Sequence, residues 1–168
     1  GYTNLSMPFL TTVGTWAFRN HFSPILMLLT PFYWIGGHPT TLIIIQCLIL
    51  SLGVVPVYLL AKDRLESGLG GLIFAIVYLL YPALQWPALA DFHESLLIST
   101  PVLFAFYFLQ KYQYQKMMLF LVLTLFCKED TTIIVAAFGV YLGMMHRKIG
   151  MGCGLIVLSA AWLVFAMN

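Results

Sequence analysis

The chain has 168 residues, of which 61% are hydrophobic and 8% are charged, and its mean hydropathy is +0.94. A typical soluble domain has roughly 45–50% apolar and roughly 25% charged residues, so these few charges could not cover so much apolar surface in water. Eight Lys and Arg stand against six Asp and Glu, which leaves no basic stripe for nucleic acid. The composition excludes a soluble domain and a nucleic-acid-binding protein, and it predicts an integral membrane protein in contact with a lipid bilayer.

The chain begins at Gly1 without the features of a signal peptide and ends within an apolar run. We therefore expect an interior piece of a longer membrane protein. Residues 1–20 are polar enough to form an outer-side loop at the membrane surface. Residues 21–168 are predicted to form a transmembrane helical bundle.

The bundle is predicted to open with a short helix. In the sequence His21-Phe22-Ser23-Pro24, Ser23 is typical of an N-cap and Pro24 of a first helical position. The helix would run to about Ile35, which is shorter than the roughly 20 residues needed to span hydrocarbon. It is therefore predicted to be a juxtamembrane or re-entrant helix.

Six apolar segments follow, separated by charges and prolines, and each is predicted to span the membrane. Their limits are Thr40–Ala61, Gly68–Trp86, Glu94–Leu109, Tyr114–Cys127, Thr131–Met145 and Ile149–Met167. Pro56 predicts a kink in the first of them, while Pro82 and Pro87 are expected to end the second. No strand pattern is evident, so the fold class is predicted as all-α, a polytopic bundle of about six spans plus one short helix.

The orientation follows from the Lys and Arg residues in the short loops. Three loops fall on one side when six helices alternate, and they are marked by Lys62 with Arg64, Lys111 with Lys116, and Arg147 with Lys148. The positive-inside rule assigns that side to the cytoplasm, here of a prokaryotic cytoplasmic (inner) membrane. The outer side then receives four acidic residues, Asp91, Glu94, Glu129 and Asp130. Ionisable groups near hydrocarbon are costly, so we expect the chemistry on this outer side.

The first candidate site is Asp91-Phe92-His93-Glu94, which comes after a proline-punctuated loop and at the start of a helix. One interpretation is structural, because carboxylates at a helix N-terminus interact favourably with the helix dipole. The functional interpretation makes Asp91, His93 and Glu94 candidate catalytic residues or ligands of a divalent cation, Mg or Mn. His93 and Glu94 also form a candidate acid–base pair.

The second candidate site is Lys128-Glu129-Asp130, between two apolar runs. A tight loop between two helices would explain these charges structurally. A lone outer Lys against the positive-inside trend also favours binding of a substrate phosphate by Lys128, with Glu129 or Asp130 as neutralising or catalytic groups. His21 is a further candidate for substrate binding, although a lone interfacial His is more often a hydrogen-bonding residue.

Small residues recur at four-residue spacing in two pairs, Gly139 with Gly143 and Gly150 with Gly154. Such spacing predicts close helix packing in a membrane. The contacts could be within the chain or with other membrane subunits, and the sequence leaves both alternatives open.

Several of these segments occur in an order that is typical of one family. They are His21-Phe22-Ser23-Pro24-Ile25-Leu26, Gln46, Tyr78-Leu79-Leu80-Tyr81-Pro82-Ala83-Leu84-Gln85, Phe92-His93-Glu94 and Lys128-Glu129-Asp130. From about His21 to Trp162, the chain resembles the bacterial and archaeal membrane-protein family catalogued as domain of unknown function 2079. That family has no established activity to carry over.

The layout is also distantly similar to the GT-C superfamily of polyprenyl-phosphate-sugar glycosyltransferases, which includes protein mannosyltransferases and aminoarabinose transferases. The resemblance implies an essential acid in a large outer loop, a proline-bearing short helix, and a Lys that binds the polyprenyl phosphate. Pro24 matches that helix in kind, Lys128 matches that Lys in position and side, and Phe92-His93-Glu94 matches the level of a second acidic or metal-linked site. Residues 1–20 contain no Asp or Glu, so the implied acid would precede Gly1.

The predicted function is therefore glycosyltransferase-like, with transfer of a sugar from a polyprenyl-phosphate donor at the outer face of the membrane. The alternative is a non-catalytic structural or accessory subunit of a larger membrane protein complex, in which the glycine pairs contact other membrane subunits. Transport is disfavoured, because no charge lies in the middle of a predicted span.

Overall fold

The computed structural model describes residues 24–36 and 40–167. These ranges contain α-helices and 3₁₀ helices and no β-strand, which confirms the predicted all-α class. The predicted outer-side loop 1–20, His21 and the predicted N-cap Ser23 lie outside the described residues. Helix α1 is Ile25–Gly36, so it begins one residue after Pro24 and is as short as predicted.

The later helices follow the predicted boundaries closely. They are α2 (Thr40–Leu52), α3 (Val54–Leu65), α4 (Gly68–Leu79), α5 (Pro82–Ala90), α6 (Ser99–Gln110), α7 (Tyr114–Cys127), α8 (Thr132–Met145) and α9 (Ile149–Met167). Two 3₁₀ helices, Glu94–Ile98 and Glu129–Thr131, precede α6 and α8.

Within the described part of the chain, three helical stretches are long and apolar enough to cross a membrane. They are Thr40–Leu65, formed by α2 and α3, Gly68–Ala90, formed by α4 and α5, and Ile149–Ala166 in α9. Glu94–Gln110 and Tyr114–Cys127 are apolar but shorter. Membrane spans are thus supported, while the number of six stays a prediction.

Pro82 and Pro87 do not end the second span, contrary to the prediction. Pro82 lies in the first turn of α5, where its missing N–H costs no intrahelical hydrogen bond. The helix is interrupted before it, and Gln85 Nε2 donates to the carbonyl of Leu79 at 2.7 Å across the interruption. Pro87 lies inside α5, so most of the segment expected as a loop is helical.

The chain divides into two compact units, with boundaries inside α1 and α7. Among the described residues, the central unit is formed by residues 29–36 and 40–124, and the terminal unit by residues 24–28 and 125–167. Helices α2 to α6 belong to the central unit, and α8 and α9 belong to the terminal unit.

In the central unit, Gly53 interrupts the first span between α2 and α3. Its N–H donates to the carbonyl of Leu50 at 2.9 Å, which is three residues back instead of the four of a regular α-helix. Pro56 follows in a fully buried position, and its ring has no N–H to continue the ladder. An interruption therefore lies close to the kink predicted from Pro56.

Two hydroxyl groups from neighbouring helices bind the backbone carbonyls at this interruption. Tyr78 of α4 donates its hydroxyl to the carbonyl of Leu50 at 3.0 Å, and Thr100 of α6 donates to the carbonyl of Ile49 at 2.7 Å. No water replaces lost backbone hydrogen bonds inside a bilayer, so side chains of other helices must do so. The interruption thereby ties α2 to both α4 and α6.

The far ends of α3 and α6 are joined by two side-chain pairs. Lys111 Nζ lies 2.8 Å from Asp63 Oδ2, and Arg64 donates to Gln110 Oε1 at 2.6 Å. Two of the loops that the basic residues predict on one side of the membrane therefore lie at the same end of the central unit.

In the terminal unit, α8 and α9 approach each other at two glycines. A Cβ on Gly139 would lie 2.7 Å from the carbonyl oxygen of Gly152, and a Cβ on Gly152 would lie 2.5 Å from that of Gly139. Among the described residues, a Cβ on Gly150 or Gly154 would meet nothing within 4 Å. Packing of α8 through Gly139 is confirmed. On α9, however, the contact is made by Gly152 and not by the predicted pair, Gly150 and Gly154. Each of these two glycines lies two residues from Gly152, which is about 200° around the helix at 100° per residue.

Candidate functional site

The Asp91–Glu94 segment joins α5 to the 3₁₀ helix that precedes α6. Asp91 has φ −160° and ψ 167°, and His93 has φ −128° and ψ 111°, so both residues are extended. Extended residues between two helices have backbone N–H and C=O groups without helical partners, and such groups must be satisfied in other ways. The position of this segment therefore depends on contacts with other elements of the central unit.

Gln46 of α2 supplies these contacts from a fully buried position. Its Nε2 donates to the carbonyl of Asp91 at 3.1 Å and to the carbonyl of Ala88 at 3.3 Å. Its Oε1 accepts from the N–H of His93 at 2.7 Å. Both the donor and the acceptor of one side-chain amide are thus used to hold the Asp91–Glu94 segment against α2.

The ionisable side chains of the segment are accessible. Asp91 and His93 are exposed, and Glu94 is half-buried. Asp91 Oδ1 accepts from the N–H of Phe92 at 2.7 Å, and His93 Nδ1 lies 3.3 Å from the carbonyl oxygen of Asp91. Histidine is the side chain that most often serves as a general acid or base, so the exposed imidazole of His93 is the candidate proton-transfer group of this segment.

Glu94 also has the structural position that the sequence predicts. It lies in the first turn of the 3₁₀ helix, after His93, whose side chain makes no capping hydrogen bond. A carboxylate at this end of a helix is favoured by the helix dipole. The capping interpretation and a functional role for Glu94 are compatible.

The segment does not hold a metal ion with protein ligands alone. Among the described residues, no group of three or more His, Cys, Asp or Glu is placed to do so. The donor set of Asp91, His93 and Glu94 therefore does not fit a protein-held Mg or Mn centre.

An apolar cleft of about 270 Å³ lies between α2, α4 and α5 of the central unit. It is lined by Cys47, Leu50, Ser51, Tyr78, Leu79, Leu84, Gln85, Ala88 and Leu89. The cleft adjoins the anchored segment through Ala88, whose carbonyl accepts from Gln46. Apolar walls with a few polar groups are typical of a ligand site.

The Lys128–Asp130 segment of the terminal unit forms a tight turn between α7 and α8. Lys128 has an extended backbone with φ −164° and ψ 152°, and the 3₁₀ helix Glu129–Thr131 follows it. Two buried hydroxyl groups fix the turn, because Thr131 donates to the carbonyl of Lys128 at 2.6 Å and Thr132 donates to that of Glu129 at 3.0 Å. The loop predicted as the structural interpretation is confirmed.

Lys128 forms an ion pair with Asp130 in this turn. The Lys128 Nζ lies 3.3 Å from Asp130 Oδ2, with the Lys side chain 19% exposed and the Asp side chain 71% exposed. The carboxylate side of this ion pair is therefore open to solvent, whereas the Lys128 side chain is largely covered. Binding of a substrate phosphate by Lys128 stays a prediction.

The structure places the predicted site residues in two groups. Asp91, His93 and Glu94 share one segment of the central unit, and Lys128, Glu129 and Asp130 share one turn of the terminal unit. His21, the remaining candidate, lies outside the described residues.

Gln46 anchors the first of these segments, and sequence patterns predict no role for it beyond its place among the family's motif residues. The available signal is a lone amide within the apolar stretch Thr40–Leu52, because a polar group in a membrane span must find an internal partner. That signal does not identify the partner, which is backbone more than 40 residues later.

Comparison with curated proteins and with solved structures finds no match. A family model described as "Predicted membrane protein (DUF2079)" matches residues 2–168. The match covers the apolar spans, the anchored Asp91–Glu94 segment and the Lys128–Asp130 turn. It confirms the family resemblance seen in the motifs, and the chain belongs to the DUF2079 family of predicted membrane proteins.

Proposed function

We propose that this membrane protein is glycosyltransferase-like and transfers a sugar from a polyprenyl-phosphate donor at the outer face of a prokaryotic cytoplasmic membrane. The observation that carries the proposal is the Asp91–Glu94 segment. It presents an exposed imidazole at the end of an apolar span, and a buried amide, Gln46, holds its backbone. The reaction class is inferred from the resemblance of the sequence layout to the GT-C superfamily.

His93 is the proposed base of this reaction, in place of the acid before Gly1 that the GT-C resemblance implies, because its exposed imidazole lies on a segment that Gln46 holds. The acceptor hydroxyl gives its proton to the imidazole, its oxygen bonds to C1 of the sugar, and the bond from C1 to the phosphate oxygen breaks. The electron pair of that bond leaves with the polyprenyl phosphate. Asp91 and Glu94, which lie beside the base in sequence, are the other catalytic candidates of this segment.

In the terminal unit, Lys128 is the proposed binding group for a substrate phosphate. Its ammonium group binds the phosphate as a point charge. The exposed carboxylate of Asp130, 3.3 Å from Nζ, neutralises Lys128 when no phosphate is bound. Glu129 is the other carboxylate of the turn and the second candidate for this role.

The apolar cleft of the central unit is the proposed contact of the donor's hydrocarbon chain. Its walls come from leucines and alanine of α2, α4 and α5, with the hydroxyl groups of Ser51 and Tyr78 and the thiol of Cys47 among them. A chain bound there would bring the phosphate end of the lipid towards the segment that follows Ala88.

Donor consumption by the purified protein in liposomes tests this proposal. Labelled polyprenyl-phosphate sugars are supplied with water or simple alcohols as acceptors, and released polyprenyl phosphate is measured. We expect Lys128→Ala to lower the rate at least about tenfold, the cost of one charge-assisted contact of about 1.5–3 kcal/mol. Asp130→Asn and the control Lys148→Ala, in a loop predicted to be cytoplasmic, should retain it. Equal rates for the wild type and Lys128→Ala would contradict phosphate binding by Lys128.

The second candidate function is that of an accessory subunit, and one observation in the terminal unit favours it. The positions of Gly150 and Gly154 are open within the described chain, since a Cβ there would meet nothing within 4 Å. Two such glycines on a membrane helix suit contact with a helix of another subunit. Gly154→Leu should then abolish co-purification of that subunit, while His93→Asn leaves it intact. The enzyme proposal expects donor consumption to be lost in His93→Asn and retained in Gly154→Leu.

A further inference from the structure

We propose that Gln46 is a positioning residue that fixes the tautomer of His93 through the carbonyl group of Asp91. In that tautomer the proton lies on Nδ1, and Nε2 is left as the proton acceptor. The catalytic meaning of this arrangement rests on the proposed function, whereas the arrangement of protons does not.

The carbonyl oxygen of Asp91 is the centre of the arrangement. It accepts from Gln46 Nε2 at 3.1 Å, and it lies 3.3 Å from His93 Nδ1. A carbonyl oxygen has no proton to give, so a hydrogen bond with Nδ1 requires the proton on the imidazole. A neutral imidazole carries one ring proton, and Nε2 then has a free electron pair.

The orientation of the Gln46 amide is determined by its partners. Its nitrogen faces two carbonyl acceptors, those of Ala88 and Asp91, and its oxygen faces one N–H donor, that of His93. A flipped amide would place oxygen against two carbonyl oxygens and nitrogen against an N–H. Because Gln46 is fully buried, no water can replace these partners, and only one orientation is satisfied.

The Gln46 amide therefore holds both residues of the contact between His93 and Asp91. Its oxygen holds the backbone of His93 at 2.7 Å, and its nitrogen holds the carbonyl that the imidazole binds. Removing the amide frees the Asp91 carbonyl to move, and the ring then loses the acceptor that selects Nδ1–H. The same kind of backbone carbonyl contact selects the working nitrogen of histidines in other catalytic and metal sites.

Nitrogen NMR of histidine rings tests this inference without any assay of activity. The protein is labelled with ¹⁵N-histidine and studied in lipid nanodiscs at about pH 8.5, about two units above the usual His pKa of about 6.5. His93→Asn identifies the resonances of His93. The variants are Gln46→Leu, which removes all three hydrogen bonds at nearly constant volume, and the matched control Ser51→Ala, whose hydroxyl donates only to the carbonyl of Cys47 on its own helix.

We expect the wild type and Ser51→Ala to show His93 with its proton on Nδ1 alone. Gln46→Leu should show both tautomers. A wild-type spectrum with the proton on Nε2, or an unchanged spectrum in Gln46→Leu, overturns the inference. If Gln46→Leu does not fold, Gln46→Asn takes its place, since a shorter amide withdraws from Asp91 and should also lose the single tautomer.

Donor consumption by the wild type, His93→Asn and Gln46→Leu separates this inference from the proposed function. If the His93 tautomer depends on Gln46 but the protein consumes no donor, the proposed function is overturned and the positioning role of Gln46 stands. Loss of consumption in His93→Asn, with no change of tautomer or rate in Gln46→Leu, would overturn the positioning role and leave the function standing.

Discussion

The side-chain oxygen of Gln46 accepts a 2.7 Å hydrogen bond from the backbone N–H of His93. This bond links a fully buried residue of the first span to an exposed residue outside the second one. The conformation of the exposed segment therefore depends on a residue of another helix as well as on its own residues. A change inside the apolar spans can alter the group that we propose to meet the substrate.

Replacing Gln46 should destabilise the protein. Gln46→Leu removes the hydrogen bond that the Gln46 amide makes with each of three backbone groups, those of Ala88, Asp91 and His93. Each unsatisfied buried group costs about 1–3 kcal/mol, less where water can reach it, so we expect a total loss of about 2–4 kcal/mol. Denaturant unfolding followed by circular dichroism measures it, and Ser51→Ala should change stability by less than about 0.5 kcal/mol. A loss no larger than that of Ser51→Ala contradicts the anchoring role.

The glycine contact between α8 and α9 should tolerate no side chain. Gly139→Ala or Gly152→Ala places a Cβ within 2.7 Å of a backbone oxygen of the other helix, so the helices must separate. Overpacking of this kind costs about 1–3 kcal/mol. The matched control Gly154→Ala meets nothing within 4 Å and should be neutral or stabilising by up to about 1 kcal/mol through helix propensity. Thermal unfolding of the three variants compares them, and equal effects would show that the two glycines are not in contact.

The interruption at Gly53 should also be sensitive to a methyl group. A Cβ there would overlap the hydroxyl of Tyr78, which donates to the carbonyl of Leu50. We expect Gly53→Ala to cost about 1–3 kcal/mol and Tyr78→Phe about 0.5–1.5 kcal/mol. Because both changes affect the same contact, the double variant should lose less than the sum of the two. Strict additivity in unfolding measurements would contradict the contact.

Glu94–Gln110 should cross the membrane despite its length. Its first part is a 3₁₀ helix that rises about 2.0 Å per residue and its second part an α-helix that rises about 1.5 Å, giving about 28 Å in total against roughly 30 Å of hydrocarbon. Single cysteines at the exposed positions Ser95 and Gln113, in a chain without its three native cysteines, report the sides of the membrane. An impermeant maleimide should label Ser95→Cys only from outside and Gln113→Cys only from the cytoplasm. Labelling of both from one side would mean that this helix does not cross.

The ion pair between Lys111 and Asp63, at the other end of the central unit, makes the stability of the fold depend on pH. A side-chain hydrogen bond with Asp63 raises the pKa of Lys111 above its ordinary value of 10.5. Because the pKa of Lys111 is higher in the folded chain, the pair stabilises the fold fully at pH values below the Lys pKa of the unfolded chain, about 10.4. This stabilisation is lost as the pH rises through the pKa of Lys111 in the folded chain. Asp63→Asn should lower the pKa of Lys111 in an NMR titration, and Asp130→Asn should not. A Lys111 pKa that is unchanged in Asp63→Asn would contradict the ion pair.

The sequence predicts the helices of this protein well, because apolar runs bounded by Gly, Pro and charges carry a strong signal in a membrane protein. It mispredicts Pro82, because a proline at the start of a new helix and one at the end of an old helix look alike until the intervening hydrogen bonds are known. It selects Gly139 but not Gly152, since the choice depends on which face of α9 meets α8. It cannot assign Gln46 its partners, because those lie on backbone atoms that only the folded chain brings to α2.

The most direct test of the central claim is the rate of polyprenyl-phosphate release by wild type, His93→Asn and Ser95→Ala in liposomes, with labelled donor added to the outside only. Ser95 is the matched control, as it is exposed and lies two residues from His93. General-base catalysis typically contributes about 10²–10⁴-fold, so we expect a loss of that size in His93→Asn and none in Ser95→Ala. A rate in His93→Asn equal to that of the wild type would rule out His93 as the base.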